Sequence, residues 1–199
     1  MAIVLEKGKK VNLTKKENVD LGEIKINLNW DRKQEKGFLK VLFGKGNNQS
    51  VDLDLGCLYE LKDGRKGSVQ ALGNHFRMGD YIILDGDDRS GDNANGENMT
   101  INGNKISEIK RIVLYTFIYE GVANWQETNG VITIKAKDHE DIIIHMDNGD
   151  NRKRMCALAM ITNENDNAFS IEKLVTYHES HKDLDKTYNW GLRWVAGRK

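Results

Sequence analysis

Between two apolar, strand-like segments the chain reads Asp85-Gly86-Asp87-Asp88-Arg89-Ser90-Gly91-Asp92-Asn93-Ala94-Asn95-Gly96-Glu97-Asn98, a run of acids, amides and glycines. Four aspartates and one glutamate sit there with only Arg89 to offset them. Two such charges about 5 Å apart repel by roughly 3 kcal/mol at an effective dielectric near 20, a cost that a bound hard cation removes. Calcium takes six to eight oxygen ligands in flexible geometry, and carboxylates, amide carbonyls, a hydroxyl and main-chain carbonyls supply them here. The glycines let the backbone bend around an ion. The bland alternative is a turn-rich loop that binds nothing, since Asp, Asn and Gly suit turns in any case.

Fixed-spacing calcium patterns do not decide between the two. No register places acids or amides at the first, third and fifth positions with a glutamate at the twelfth, so the loop is not an EF-hand, and glycine-rich nonapeptide repeats are absent. Other constellations carry less. His178-Glu179-Ser180-His181 sets two imidazoles three apart, but it is not a His-Glu-X-X-His helix, and the pair reads as exposed loop histidines with ordinary titration. No Gly-X-Ser-X-Gly, no cysteine beside a histidine and no phosphate-cradling glycine loop before a helix is present. No catalytic residue is therefore assigned.

The elements that must position the loop are strands. In Glu23 to Trp30, Ile24, Ile26, Leu28 and Trp30 alternate with Glu23, Lys25, Asn27 and Asn29, which predicts one buried and one wet face. In Val51 to Leu61, Val51, Leu53, Leu55, Cys57, Tyr59 and Leu61 share one face and Asp52, Asp54 and Glu60 the other. Further strands are expected at Ile3–Leu5, Lys10–Leu13, Tyr81–Leu84, Met99–Ile101, Ile109–Tyr119, Val131–Ala136, Ile142–Met146, Met155–Thr162, Ala168–Tyr177 and Trp190–Ala196. Asn-Gly and Asp-Gly pairs such as Asp63-Gly64 and Asn129-Gly130 punctuate them. Only short helices are expected, the best at Val122–Glu127. The fold class that follows is all-β: a sandwich of two packed, mainly antiparallel sheets.

With 199 residues, one domain over 1–199 is the simplest reading, and such a chain buries about 70% of the surface that its unfolded form exposes. Lysine plus arginine and aspartate plus glutamate cancel at 30 each, so no net field favours nucleic acid or an anionic membrane. No run approaches the roughly 18 apolar residues of a spanning helix, and the expected setting is soluble and intracellular. Cys57 and Cys156, the only cysteines, fall in no metal or redox motif and read as buried small residues.

Five motifs, in order, resemble the TerD family of tellurite-resistance and stress proteins. Leu5-Glu6-Lys7-Gly8 with Val11-Asn12-Leu13-Thr14 is similar to that family's start, and Leu28-Asn29-Trp30-Asp31 to its Gly-Trp-Asp element. Val51-Asp52-Leu53-Asp54 resembles its Phe-Asp-Leu-Asp strand, and Gly86-Asp87-Asp88-Arg89-Ser90-Gly91 its Gly-Asp-Asn-X-Thr-Gly signature. Asn189-Trp190-Gly191-Leu192-Arg193 resembles its Trp-Lys-Phe-Arg ending. After the signature, Asn95-Gly96-Glu97-Asn98-Met99 stands where the family usually reads Gly-Asp-Gly-Asp-Asp-Glu. The lost charge lowers the affinity expected for one of the family's two calcium sites.

The resemblance implies a calcium-binding β-sandwich, cytoplasmic or associated with an inner-membrane stress complex, without catalytic activity, acting as a Ca2+-dependent interaction or sensor module. The partners expected are calcium ions and other stress or tellurite-resistance proteins, with no nucleic acid and no membrane insertion. It also brings candidate ligands. Asp52 and Asp54, two apart on a strand, project from the same face roughly 6.5 to 7 Å apart at Cα. In the loop the carboxylates of Asp87, Asp88, Asp92 and Glu97 are expected to bind, with Asn95 or Ser90 adding neutral oxygens. Asp31 is a further candidate, the alternative being a turn residue or an acceptor behind the ligands. A Ca2+-dependent carbohydrate-binding or hydrolytic sandwich is the competing functional reading; it needs an aromatic pocket and a titratable base beside the ion.

Overall fold

The structure, a computed structural model, describes residues 1–16, 19–31, 51–85, 96–120, 125, 128–147 and 149–195. In chain order the strands are β1 (Ala2–Val4), β2 (Lys10–Thr14), β3 (Glu23–Asn29), β4 (Asp52–Leu61), β5 (Lys66–Gln70), β6 (Arg77–Met78), β7 (Ile82–Leu84), β8 (Glu97–Asn102), β9 (Ile109–Glu120), β10 (Val131–Ala136), β11 (Asp141–His145), β12 (Met155–Glu164) and β13 (Ala168–His178), followed by helix α1 (His181–Thr187). They form a seven-stranded sheet ordered β1-β11-β10-β3-β8-β7-β6 and a six-stranded sheet ordered β2-β13-β12-β9-β4-β5. Pairing is antiparallel throughout except for β1 on β11. This is the all-β sandwich that the alternating strands and frequent turns predict.

The core lies between the sheets. In β3 the alternation holds: Ile24, Ile26 and Leu28 are buried, whereas Glu23, Lys25 and Asn29 are exposed. They meet Leu53, Leu55 and Cys57 of β4, Ile112 and Leu114 of β9, and Ile132 and Ile134 of β10 in one apolar cluster. Burying each such side chain contributes about 1.5–3 kcal/mol. Cys57 and Cys156 are free and fully buried, as expected of small core residues, and burial pushes the Cys57 thiol up to about 12.

The second face of the six-stranded sheet is not wet. Leu58 of β4, Val113, Tyr115 and Phe117 of β9, and Met155 and Ala157 of β12 are covered there by Leu184 of α1 and by Trp190. This corrects the strand expected at Trp190–Ala196: the described part, through Val195, carries no regular structure. It is a strap held by side chains. The buried Asp185 carboxylate accepts hydrogen bonds from the main-chain N–H of Gly191 (2.8 Å) and Leu192 (2.9 Å) and from Trp194 Nε1 (3.0 Å). Arg111 donates to the carbonyls of Tyr188 and Asn189, each at 2.9 Å, and its guanidinium stacks 3.9 Å from the Trp190 ring centroid. Glu60, 4% exposed, anchors Arg111 at 2.6 Å and Lys110 at 2.8 Å. Burial pushes the Glu60 carboxyl up, but the hydrogen bonds from Lys110 and Arg111 outweigh it and hold the group below its ordinary value.

Helix α1 was not expected, yet its start is conventional. Ser180 Oγ caps the Asp183 N–H at 3.3 Å, and the Asp183 carboxylate accepts from the Glu179 N–H at 3.1 Å. Of the helix expected at Val122–Glu127, only Trp125 lies within the described residues, in a 3-10 turn.

Candidate functional site

Strand β4 leaves its neighbour at the end where the candidate ligands lie. β5 pairs with β4 only from Gly56 opposite Gln70 to Glu60 opposite Lys66, so the N–H of Leu55 extends past the end of that ladder. The Glu97 carboxylate of β8, in the other sheet, accepts its hydrogen bond from that N–H. The adjacent residue, Asp54, is 1% exposed, and Asp52 is half-buried. An acid from each sheet is thereby brought to the same end of β4. Asp54 also acts on the outer face: burial raises the Tyr115 hydroxyl well above its ordinary value, with the charges of Cys57 and Asp54 adding to the effect.

Gly96 sets the position of Glu97. Its φ is +71°, and a Cβ there would lie 2.0 Å from the Leu28 carbonyl oxygen. Only glycine lets the chain enter β8 so close to β3.

Asp31 is exposed; its N–H donates to Thr128 O at 2.7 Å and its carboxylate accepts from Asn129 Nδ2 at 2.6 Å. That is the turn-residue alternative made concrete, joining the end of β3 to the turn before β10. Trp30 beside it is buried, with Nε1 donating to Val51 O at 3.0 Å, which ties the same end of β3 to the start of β4.

Asp87, Asp88, Ser90, Asp92 and Asn95 lie outside the described residues. Among the described residues no three carboxylate, imidazole or thiol side chains converge to hold a metal ion. Asp52, Asp54 and Glu97 by themselves therefore do not form such a group. Their side chains offer oxygen only, the donor type that a hard cation such as calcium takes, and Asp54 is withdrawn from water.

His178 and His181, expected as exposed and ordinary, are neither. His178 is 4% exposed at the end of β13, and burial lowers its pKa, against the opposing pull of Asp183. His181 opens α1 half-buried, its ring 5.5 Å from Tyr115, 5.1 Å from Phe117 and 5.0 Å from Trp194 between centroids, and burial lowers its pKa to about 4. The capping pattern Ser180-His181-Lys182-Asp183 was the signal in the sequence for that helix start. Gln70 and Asp185 gave no comparable signal, since their burial arises from a strap that no local pattern announces.

The TerD domain family model matches residues 1–167. The chain belongs to the TerD family. It is 40% identical over 193 residues to the tellurium resistance protein TerA of an Alcaligenes species, a match covering 95% of this chain and 56% of that protein. It is 30% identical over 152 residues to the stress response protein SCP2 of Bacillus subtilis (strain 168), covering 72% of this chain and 76% of SCP2. This TerD chain thus spans little more than half the length of TerA. Among solved structures, a homologue of the telluride resistance protein TerD from Streptomyces coelicolor A3(2) superposes with a TM-score of 0.57 at 18% identity, over 83% of this chain and 95% of that one. That likeness is one of fold, and it matches the two-sheet architecture.

Proposed function

We propose that this TerD chain is a calcium-binding module of the tellurium-resistance and stress-response type, acting as a Ca2+-dependent interaction or sensor unit rather than as a catalyst. The observation that carries the proposal is the end of β4, where Asp54 is 1% exposed and Glu97 reaches across from the opposite sheet to the next residue's amide. Asp52, Asp54 and Glu97 would hold the ion together with Asp87, Asp88 and Asp92, with Asn95 or Ser90 adding neutral oxygens and Asp31 supporting from the neighbouring turn. Calcium supplies charge neutralisation there and ties the acidic loop to the scaffold. The names of TerA and SCP2 support a role in tellurium resistance or stress response and suggest other proteins of such systems as partners. Among the described residues no helix is long and apolar enough to cross a membrane. The reading places the protein in the cytoplasm or at the periphery of an inner-membrane complex.

Calorimetric titration of chelator-stripped protein with Ca2+ and Mg2+ tests the proposal. Calcium is expected to bind with measurable heat and to raise stability by about 2.7 kcal/mol at a hundredfold excess over Kd. Asp54→Asn, and separately the double variant Asp87→Asn, Asp92→Asn, should each weaken calcium at least tenfold. Absence of heat and of thermal shift in the wild type would overturn the proposal; full affinity in both variants would show that the ligands are elsewhere.

A further inference from the structure

On the outer face of the six-stranded sheet, the strap after α1 and the edge strand β5 enclose an open cavity of about 860 Å³. Tyr59, five residues along β4 from Asp54 and therefore roughly 17 Å from it, lies in its wall. The charge of the lining is one-sided. Lys66, Arg77, Lys182 and Arg193 face the cavity together with two imidazoles, and no carboxylate does. Lys66 is already engaged, donating to Trp190 O at 3.1 Å and lying 3.7 Å from Glu60. Arg77, Lys182 and Arg193 are exposed and form no ion pair among the described residues. In a chain whose net charge is zero, three unmatched cations around one concavity are a local feature and not the overflow of a basic protein.

A second observation points the same way. Gln70 lines the cavity yet is only 6% exposed. Its Oε1 is taken by the Tyr115 hydroxyl at 2.5 Å, while its side-chain N–H groups donate to nothing among the described residues. The residue is held by its Oε1 while its amide nitrogen opens onto the cavity, where it is placed to donate to an acceptor arriving from outside. The walls are also held in place in advance. Asp185 holds the residues on both sides of Arg193 by accepting from the main-chain N–H of Leu192 and the indole N–H of Trp194, and His181 packs against that indole. Binding would therefore require little ordering of the strap.

We propose that this cavity binds a small organic phosphate. Two guanidiniums present flat, forked donors suited to phosphate oxygens, and Lys182 adds a point charge. Trp194, Leu72 and Leu192 give an apolar wall for the organic part. The volume falls within the usual 300–1,000 Å³ range of small-molecule sites and far exceeds the roughly 30 Å³ that a water molecule occupies. The site is separate from the acidic end of β4, and its occupancy is independent of calcium.

Isothermal titration in the presence of a metal chelator, with phenyl phosphate, inorganic phosphate and phenol as probes, tests this whether or not the loop binds calcium. Phenyl phosphate should bind, at least tenfold more tightly than inorganic phosphate or phenol. The double variant Arg77→Gln, Arg193→Gln, altered only at exposed positions, should lose at least tenfold in affinity while keeping the wild-type unfolding midpoint. Gln70→Glu, which replaces this cavity-facing donor by an acceptor, should also weaken phenyl phosphate. No binding of phenyl phosphate at millimolar concentration, equal affinity for phenol, equal affinity for inorganic phosphate, or indifference to the arginine replacements would each overturn the proposal.

Discussion

Lowering the pH should destabilise this protein through His181, by an amount that the structure allows to be worked out. The ring sits among Tyr115, Phe117 and Trp194, its buried Nε2 has no hydrogen-bond partner among the described residues, and burial lowers its pKa from 6.5 to about 4. The folded state thus holds the neutral imidazole, while the unfolded chain takes up a proton near pH 6.5. Between those two values the unfolded state binds more protons, so stability falls as pH drops. Stability contributed by the neutral ring is complete above pH 6.5 and is lost progressively down to pH 4, below which the contribution no longer changes. For this shift the loss is about 2 kcal/mol between pH 7 and pH 5, and about 3 kcal/mol by pH 4. Partial contact of the ring with water makes these upper figures. The exposed carboxylates and His178 titrate as well, so the measurement is a double difference: urea unfolding of wild type and His181→Phe at pH 7 and pH 5. Phenylalanine keeps the aromatic packing, removes the unpartnered nitrogen and cannot be protonated. The variant should lose about 2 kcal/mol less than wild type over that interval. If both lose the same amount to within about 0.5 kcal/mol, the ring is not held neutral by burial and the reasoning fails.

Thr116→Val should stabilise the fold by about 1 kcal/mol in the same urea assay, because Thr116 is 0% exposed and its hydroxyl has no partner among the described residues, whereas valine has the same shape without a group to satisfy. A destabilised variant would mean that the hydroxyl is used. Gly96→Ala should lower stability by about 3 kcal/mol or prevent folding, since its Cβ would meet the Leu28 carbonyl at 2.0 Å with φ at +71°. Thermal unfolding unchanged from wild type would show that β8 can retreat from β3.

The two-sheet sandwich was legible because alternation at Ile24, Ile26 and Leu28, and at Leu53, Leu55 and Cys57, is a local property that any sheet must respect. The same alternation placed Asp52 and Asp54 on one face of a strand, but Glu97, expected within the loop, opens β8, and its reach across the sheets to the Leu55 N–H was not legible. The strap was not legible. Trp190, Leu192 and Trp194 alternate as a strand would, but the N–H groups of Gly191 and Leu192 bond to Asp185 and not to a neighbouring strand. Strand β5, with Val69 as its one large apolar residue, exists because β4 offers it a ladder.

By itself, then, the sequence determined which residues alternate, where the chain turns and where acids accumulate, since each of these depends on neighbours within a few positions. Only the tertiary structure decided that the outer face of the six-stranded sheet is covered, that His178 and His181 are withdrawn from water, and that Gln70, Arg77 and Arg193 surround one cavity. Those outcomes depend on contacts between β5, β9 and a strap far along the chain from either, and burial and charge at such places are set by what the fold lays on top of them.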